Sequence, residues 1–151
     1  IRGRLVFREY WRDPAATAAA IRSGWFFTGD LAQRGENGDL YLAGRSKEII
    51  VTGGFNVSPA EVEAVLDRHP AVHQCAVIGL PHREWGEQVT AVVVRREGNL
   101  DDAETLIAFC GQHLTGYKKP KAIHFVEALP FNSNGKVMRR ELVAYSSPKG
   151  S

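Results

Sequence analysis

Residues 46–66 read SKEIIVTGGFNVSPAEVEAVL, and the organisation of the chain follows from how that stretch divides. Charged Ser46-Lys47-Glu48 gives way to apolar Ile49-Ile50-Val51-Thr52, and Gly53-Gly54 then supplies a point where backbone can bend and be approached closely. Ser58-Pro59-Ala60-Glu61 has the form of a capping box with proline in the first turn. Val62, Val65 and Leu66 fall on one face of the helix it opens, and Pro70 stops that helix. The change of texture after Arg45 predicts a domain boundary near residue 47.

Working outward toward the C-terminus, VHQCAVIGL (72–80) and QVTAVVVRR (88–96) are β-branched strand candidates separated by PHREWGE. DDAETLIAFCGQHL (101–114) has an aspartate cap, an acidic first turn and helical spacing of Leu106, Ile107, Phe109, Cys110 and Leu114. KAIHFVEAL predicts a further strand, and the polar loop PFNSNGK leads to a short helix from about Met138 to Tyr145. The sum is an α+β domain with a small mixed sheet flanked by helices. Toward the N-terminus, the first third predicts a strand, a short helix and a hairpin. Asp13 caps the helix, Pro14 occupies its first position and Gly24 ends it. WFFTGDLAQ and DLYLAGR form the hairpin through RGENG. No internal repeat or low-complexity segment interrupts the pattern.

With 151 residues and 44% hydrophobic content, the chain is long enough for one ordinary core, which excludes disorder and collagen-like repeats. Nineteen Lys and Arg against 17 Asp and Glu leave a net charge of +2, without the basic field of a nucleic-acid-coating protein. Cys75 and Cys110 lie in apolar stretches and read as reduced core residues, which fits a cytoplasmic setting. No apolar run approaches a membrane span, and the Ile1 start without a signal-like segment suggests a piece of something longer.

Most standard catalytic signatures are absent: there is no GxSxG, CxxC or HExxH, and Pro130 stands where a phosphate loop ending in Gly135-Lys136 would need glycine. His69 and His73 have a superficially helical spacing, but Pro70 between them breaks the helix a metal pair would need, so no metal site is expected. Lys136 follows Asn132, Ser133, Asn134 and Gly135, a flexible polar loop that can present an ammonium group to an anion; the alternative is a solvated turn. Asp30, closing Thr28-Gly29-Asp30, suits a ribose diol or a plain Asx-turn, and Arg45 suits a phosphate or open water. Tyr117-Lys118-Lys119-Pro120-Lys121 sets an aromatic beside three ammonium groups, which suits a base and phosphates or a solvated lysine run. Trp85 sits in a polar loop, where it serves a ligand or packs over a strand edge.

Taken in order, GWFFTGDLA, GRSKEIIVTGGFNVSPAEVE, LTGYKKPKAIHFVEALP and NSNGKVMRREL resemble the C-terminal portion of adenylate-forming enzymes, specifically acyl-CoA synthetases. The resemblance spans nearly the whole chain. It implies that residues 1–46 end a large N-terminal adenylation domain as a β-rich tail, and that residues 47–151 form a mobile lid. It implies an ATP-dependent ligase that converts a fatty or aryl carboxylic acid to an acyl-adenylate and then to a CoA thioester. Asp30 and Arg45 become nucleotide-binding residues, Lys47 the hinge and Lys136 the catalytic lysine of adenylation. The expected CoA-binding set is Gly53, Gly54, Trp85, Tyr117 and Lys119. ATP and coenzyme A would be substrates, and Mg2+ would be held by residues outside this chain. The phosphate loop and acyl pocket of the family are absent here, so the piece alone is expected to be inactive. Phe27 departs from the polar residue that many relatives carry before TGD. Two other readings stay open: an adenylation domain that loads a carrier protein, and a non-catalytic nucleotide-binding module. Lys47 and GGFNVSP favour the CoA ligase.

Overall fold

The structure is a computed structural model that describes residues 1–146. It divides into two compact units, Ile1–Lys47 and a second beginning at Glu48.

In the first unit, α1 (Pro14–Ala20) is followed by β1 (Ile21–Arg22), β2 (Trp25–Phe26), β3 (Asp30–Arg34) and β4 (Leu40–Arg45). Asp13 caps α1 by accepting the Ala16 N–H at 2.8 Å. The helix stops at Ala20 because Ile21 is already extended (φ −118°, ψ 116°). Gly24 therefore does not end the helix. With Ser23 it forms a two-residue link between β1 and β2, both at positive φ (50° and 75°), as a primed hairpin turn requires. The predicted opening strand is also absent: Val6 N–H turns back to the Gly3 carbonyl and Tyr10 N–H goes to the Thr17 hydroxyl of α1, so these groups serve a turn and a side-chain contact instead of a ladder. WFFTGDLAQ is split by Gly29 at φ 77°, leaving β3 to pair with β4. No side chain of this unit is buried, and Leu5, Trp11, Leu40 and Leu42 are largely exposed.

In the second unit, β5 (Ile50–Thr52), β6 (Phe55–Val57), α2 (Pro59–Leu66), β7 (Val72–His82), β8 (Gly86–Arg95), α3 (Ala103–His113), β9 (Ala122–Val126) and α4 (Arg139–Ser146) follow in order. The five strands form one mixed sheet in the order β6-β5-β8-β7, with β9 parallel to β8 and every other pair antiparallel. One face packs against α2 and α3 through Val62, Leu66, Leu106 and Cys110, meeting Val77, Val89, Ala91 and Val93. The other face carries Ala76, Ile78, Val92 and Val94 against Leu129 and Leu142 of α4. The unbroken Val89–Val94 run is thus a central strand covered on both faces.

α2 begins where expected, with Ser58 at the N-cap and Pro59 in the first turn, but the reciprocal capping box does not form. Ser58 makes no side-chain cap bond to the helix, and Glu61 instead receives the Lys118 ammonium at 2.7 Å. Asp102 does cap α3, accepting the Thr105 N–H at 2.8 Å. The PHREWGE loop is shorter than predicted, because β7 and β8 extend their pairing to His82 and Gly86. The last helix starts at Arg139, and the side chain of Tyr145 and residues 147–151 lie outside the described part.

Candidate functional site

Lys136 stands on a loop that local sequence closes tightly. Phe131 and Val137 form a bridge, Asn132 N–H donates to the Lys136 carbonyl at 2.9 Å, and Gly135 N–H donates to the Asn132 carbonyl at 3.0 Å. The Asn132 side-chain oxygen accepts the N–H groups of both Asn134 (3.0 Å) and Lys136 (2.9 Å). Gly135 takes φ 73°, a left-handed conformation that a residue with a Cβ would occupy only with strain. The loop expected to be flexible is a clamped hairpin. Lys136 itself is exposed, and among the described residues its ammonium makes no ion pair or hydrogen bond.

Asp30 and Arg45 are brought together in the first unit. They face each other across β3 and β4, with the Arg45 Nε 3.4 Å from the Asp30 carboxylate. The Thr28 hydroxyl accepts the Asp30 N–H at 3.0 Å, and Ser46 N–H donates to the Gly29 carbonyl at 2.8 Å, so the strand end carrying Asp30 is tied at both sides. Both charged side chains keep open surface, 58% for Arg45 and 33% for Asp30, which leaves their outer atoms free to meet a polar ligand. Lys47 lies in a single 3-10 turn, Ser46–Glu48, where the two units divide.

Gly53 and Gly54 form the turn between β5 and β6 at φ 56° and 82°, the conformation a two-residue primed hairpin demands. Gly53 N–H donates to the Trp85 carbonyl at 2.9 Å, joining this turn to the β7–β8 turn. The Trp85 ring stacks on His82 at 4.3 Å between centroids, and the Lys121 ammonium sits 5.3 Å from the same ring. Tyr117 stacks on Phe55 at 4.5 Å. The structure thus ties Trp85 to Gly53, and sets Tyr117 on Phe55, the residue that follows Gly54. Lys119 is the exception among the five, because its stem lies along α3, 3.3 Å from where a Cβ on Gly111 would stand. Phe55 and Lys121 were not legible as partners, since each contact joins segments distant in the chain.

The family model for the AMP-binding enzyme C-terminal domain matches residues 61–136. The chain belongs to the AMP-binding enzyme family. Among similar proteins, a 2-succinylbenzoate–CoA ligase from Geobacillus kaustophilus is 46% identical over 142 residues, which are 94% of this chain and 29% of that protein. The long-chain-fatty-acid–CoA ligase FadD13 from Mycobacterium tuberculosis is 40% identical over 152 residues, covering 99% of this chain and 30% of that protein. Among solved structures, ATP-bound MatB from Rhodopseudomonas palustris superposes with a TM-score of 0.83 at 43% identity, over 92% of this chain and 28% of that one. The chain therefore spans under a third of the length of these relatives.

Two further features of this AMP-binding enzyme domain bear on its chemistry. Neither thiol is set up as a nucleophile: burial pushes Cys110 up to about 11, and burial with the adjacent Asp67 carboxylate pushes Cys75 up as well. Arg139, which sequence reasoning missed, forks onto Glu63 of α2 at 2.8 and 3.2 Å and reaches Glu48 at 3.3 Å. Glu63 also accepts the Val77 N–H of β7 at 2.7 Å. Among the described residues no group of three or more His, Cys, Asp or Glu could hold a metal ion, and no helix is long and apolar enough to cross a membrane.

Proposed function

We propose that this chain is the C-terminal part of an ATP-dependent acid–thiol ligase. The carboxylate of a fatty or aryl acid attacks the α-phosphorus of ATP and expels pyrophosphate; the thiol of CoA then attacks the acyl carbon and expels AMP. The observation that carries this reading is the Lys136 ammonium, exposed and without an ion pair among the described residues, on a loop held by Asn132.

The first step brings two anions together. At about 4 Å and an effective dielectric of about 20, two like charges repel by about 4 kcal/mol. A cation that contacts both offsets that repulsion and stabilises charge as it moves in line, which is the role assigned to Lys136. Asp30 accepts hydrogen bonds from the ribose hydroxyls, and Arg45 beside it meets the nucleotide. Lys47 serves as the hinge by which one lid serves two half-reactions: adenylation with Lys136 in place, thioester formation with Lys136 withdrawn. In the second arrangement Gly53 and Gly54 present a turn without side chains to the pantetheine arm, with Trp85, Tyr117 and Lys119 beside it. Mg2+ would accompany ATP, held by residues outside this chain.

In this reading residues 1–46 end the large N-terminal domain and residues 47–151 are the lid. The absence of any buried side chain in the first unit supports this, because its exposed Trp11, Leu40 and Leu42 need further polypeptide to cover them. Two unpaired thiols suit a reducing cytoplasm.

The test uses the complete enzyme carrying Lys136→Ala. Acid-dependent ATP–pyrophosphate exchange should fall by about 10²- to 10³-fold, as for loss of one preorganised donor. CoA transfer from supplied acyl-adenylate should survive. Equal losses in the two half-reactions would remove Lys136 from its assigned role.

A further inference from the structure

The reach of Lys136 depends on what anchors the loop that carries it, and one end of that loop runs straight into Arg139. Met138 N–H donates to the Pro130 carbonyl at 2.8 Å, closing the base of the loop, and the next residue is Arg139. Its guanidinium uses three nitrogens on two carboxylates: Nη1 and Nη2 on Glu63, and Nε on Glu48. Glu63 is a firm anchor. Its side chain is only 17% exposed, and it also accepts the Val77 N–H, so its position is set by α2 and β7 together. Glu48 is the residue after Lys47 and begins the second unit.

Resting on the role assigned to Lys136, we propose that Arg139 is the positioning residue for that lysine. It fixes the base of the loop to α2 and β7 through Glu63, and links it through Glu48 to the chain segment that leaves the hinge. The planar fork is what the geometry requires, since a lysine ammonium cannot hold both Glu63 oxygens and Glu48 in one plane. A displacement of the loop of about 1 Å costs up to about 10²-fold in a reaction that depends on placement. The cost should fall on the half-reaction that uses Lys136.

The test compares Arg139→Lys, Lys136→Ala and the double variant in the complete enzyme. The acid is whichever of acetate, octanoate, palmitate and benzoate the unaltered enzyme adenylates fastest. Arg139→Lys should lower pyrophosphate exchange by about tenfold, leave CoA transfer from the supplied adenylate within about twofold, and cause no further loss when Lys136 is already alanine. The same loss in the Lys136→Ala background, or equal losses in both half-reactions, would overturn the proposal by showing a general structural effect. Should Arg139→Lys fail to fold, Glu48→Gln keeps the Glu63 fork and carries the test. It should give a smaller loss of about threefold, the order of one partly exposed ion pair, again confined to exchange and absent from the Lys136→Ala background. Unchanged exchange in Glu48→Gln would refute the link to the hinge segment. If Lys136→Ala spares exchange, the functional reading falls first and this inference with it; if Lys136→Ala is selectively defective and Arg139→Lys is not, only this inference falls.

Discussion

Replacing Glu63 by alanine should unlatch an edge of the sheet. Strand β7 is the outer neighbour of β8, and the Val77 N–H finds its acceptor in the Glu63 carboxylate at 2.7 Å. Val77 is fully buried, so its N–H loses that partner with no ready access to water, a cost of about 1–3 kcal/mol. The two bonds from Arg139 add less. That side chain is 28% exposed and keeps Glu48, so their loss contributes about 1 kcal/mol. The sum is about 2–4 kcal/mol. Glu63→Gln keeps an acceptor for Val77 and should cost only about 1 kcal/mol, so the pair of variants separates the backbone contribution from the ionic one. Urea unfolding followed by circular dichroism, with an unchanged slope and a lowered midpoint, reads the difference. Alanine and glutamine variants of equal stability would refute the reasoning, because the Val77 bond would then contribute nothing.

Gly79→Ala should destabilise the second unit by about 1–3 kcal/mol. The new Cβ would stand 2.8 Å from a Glu87 oxygen and 3.0 Å from the buried Ile50, and would displace the Glu87 carboxylate from the Val51 N–H; an unchanged melting temperature would count against this packing. The Asp102 carboxyl is held below the usual carboxylate range by the Thr105 N–H it accepts. A depressed folded value contributes stability above the unfolded value of about 4 and loses it as pH falls through the folded one, so Asp102→Asn should narrow its stability gap from wild type between about pH 5 and pH 2. Urea midpoints across that range check it, and a constant gap would contradict the cap geometry. Both raised thiols should resist iodoacetamide at about pH 8 in the native protein and react after denaturation, read by mass spectrometry; fast native labelling of Cys110 would contradict its burial.

What could be read from the chain and what could not divides along contact distance. The β7–β8 pair, the Asp102 cap and the α+β class are local patterns, and periodicity exposed them. The opening strand failed because Val6 N–H closes a turn onto Gly3 and Tyr10 N–H goes to the Thr17 hydroxyl of α1, which alternation of side chains does not report. Glu61 had the spacing of a capping box, yet Lys118 captures it from a loop far along the chain. The same applies to the site. Lys136, Asp30 and Arg45 stand in short motifs, so they can be proposed from the chain alone. The ion pairs of Arg139 form only when Glu48 and Glu63, 91 and 76 positions away, come to its guanidinium, and the stack of Phe55 on Tyr117 likewise joins distant segments.

The Asn132 clamp has a consequence for timing. Fixing a residue's backbone costs about 1–2 kcal/mol, and a loop that waited for its ligand would draw that cost from binding. Here the Asn132 oxygen holds the backbone of Asn134 and Lys136 within the fold itself, so the loop is ordered without a ligand. In the role proposed for Lys136, only its side chain would be left to order when a ligand binds.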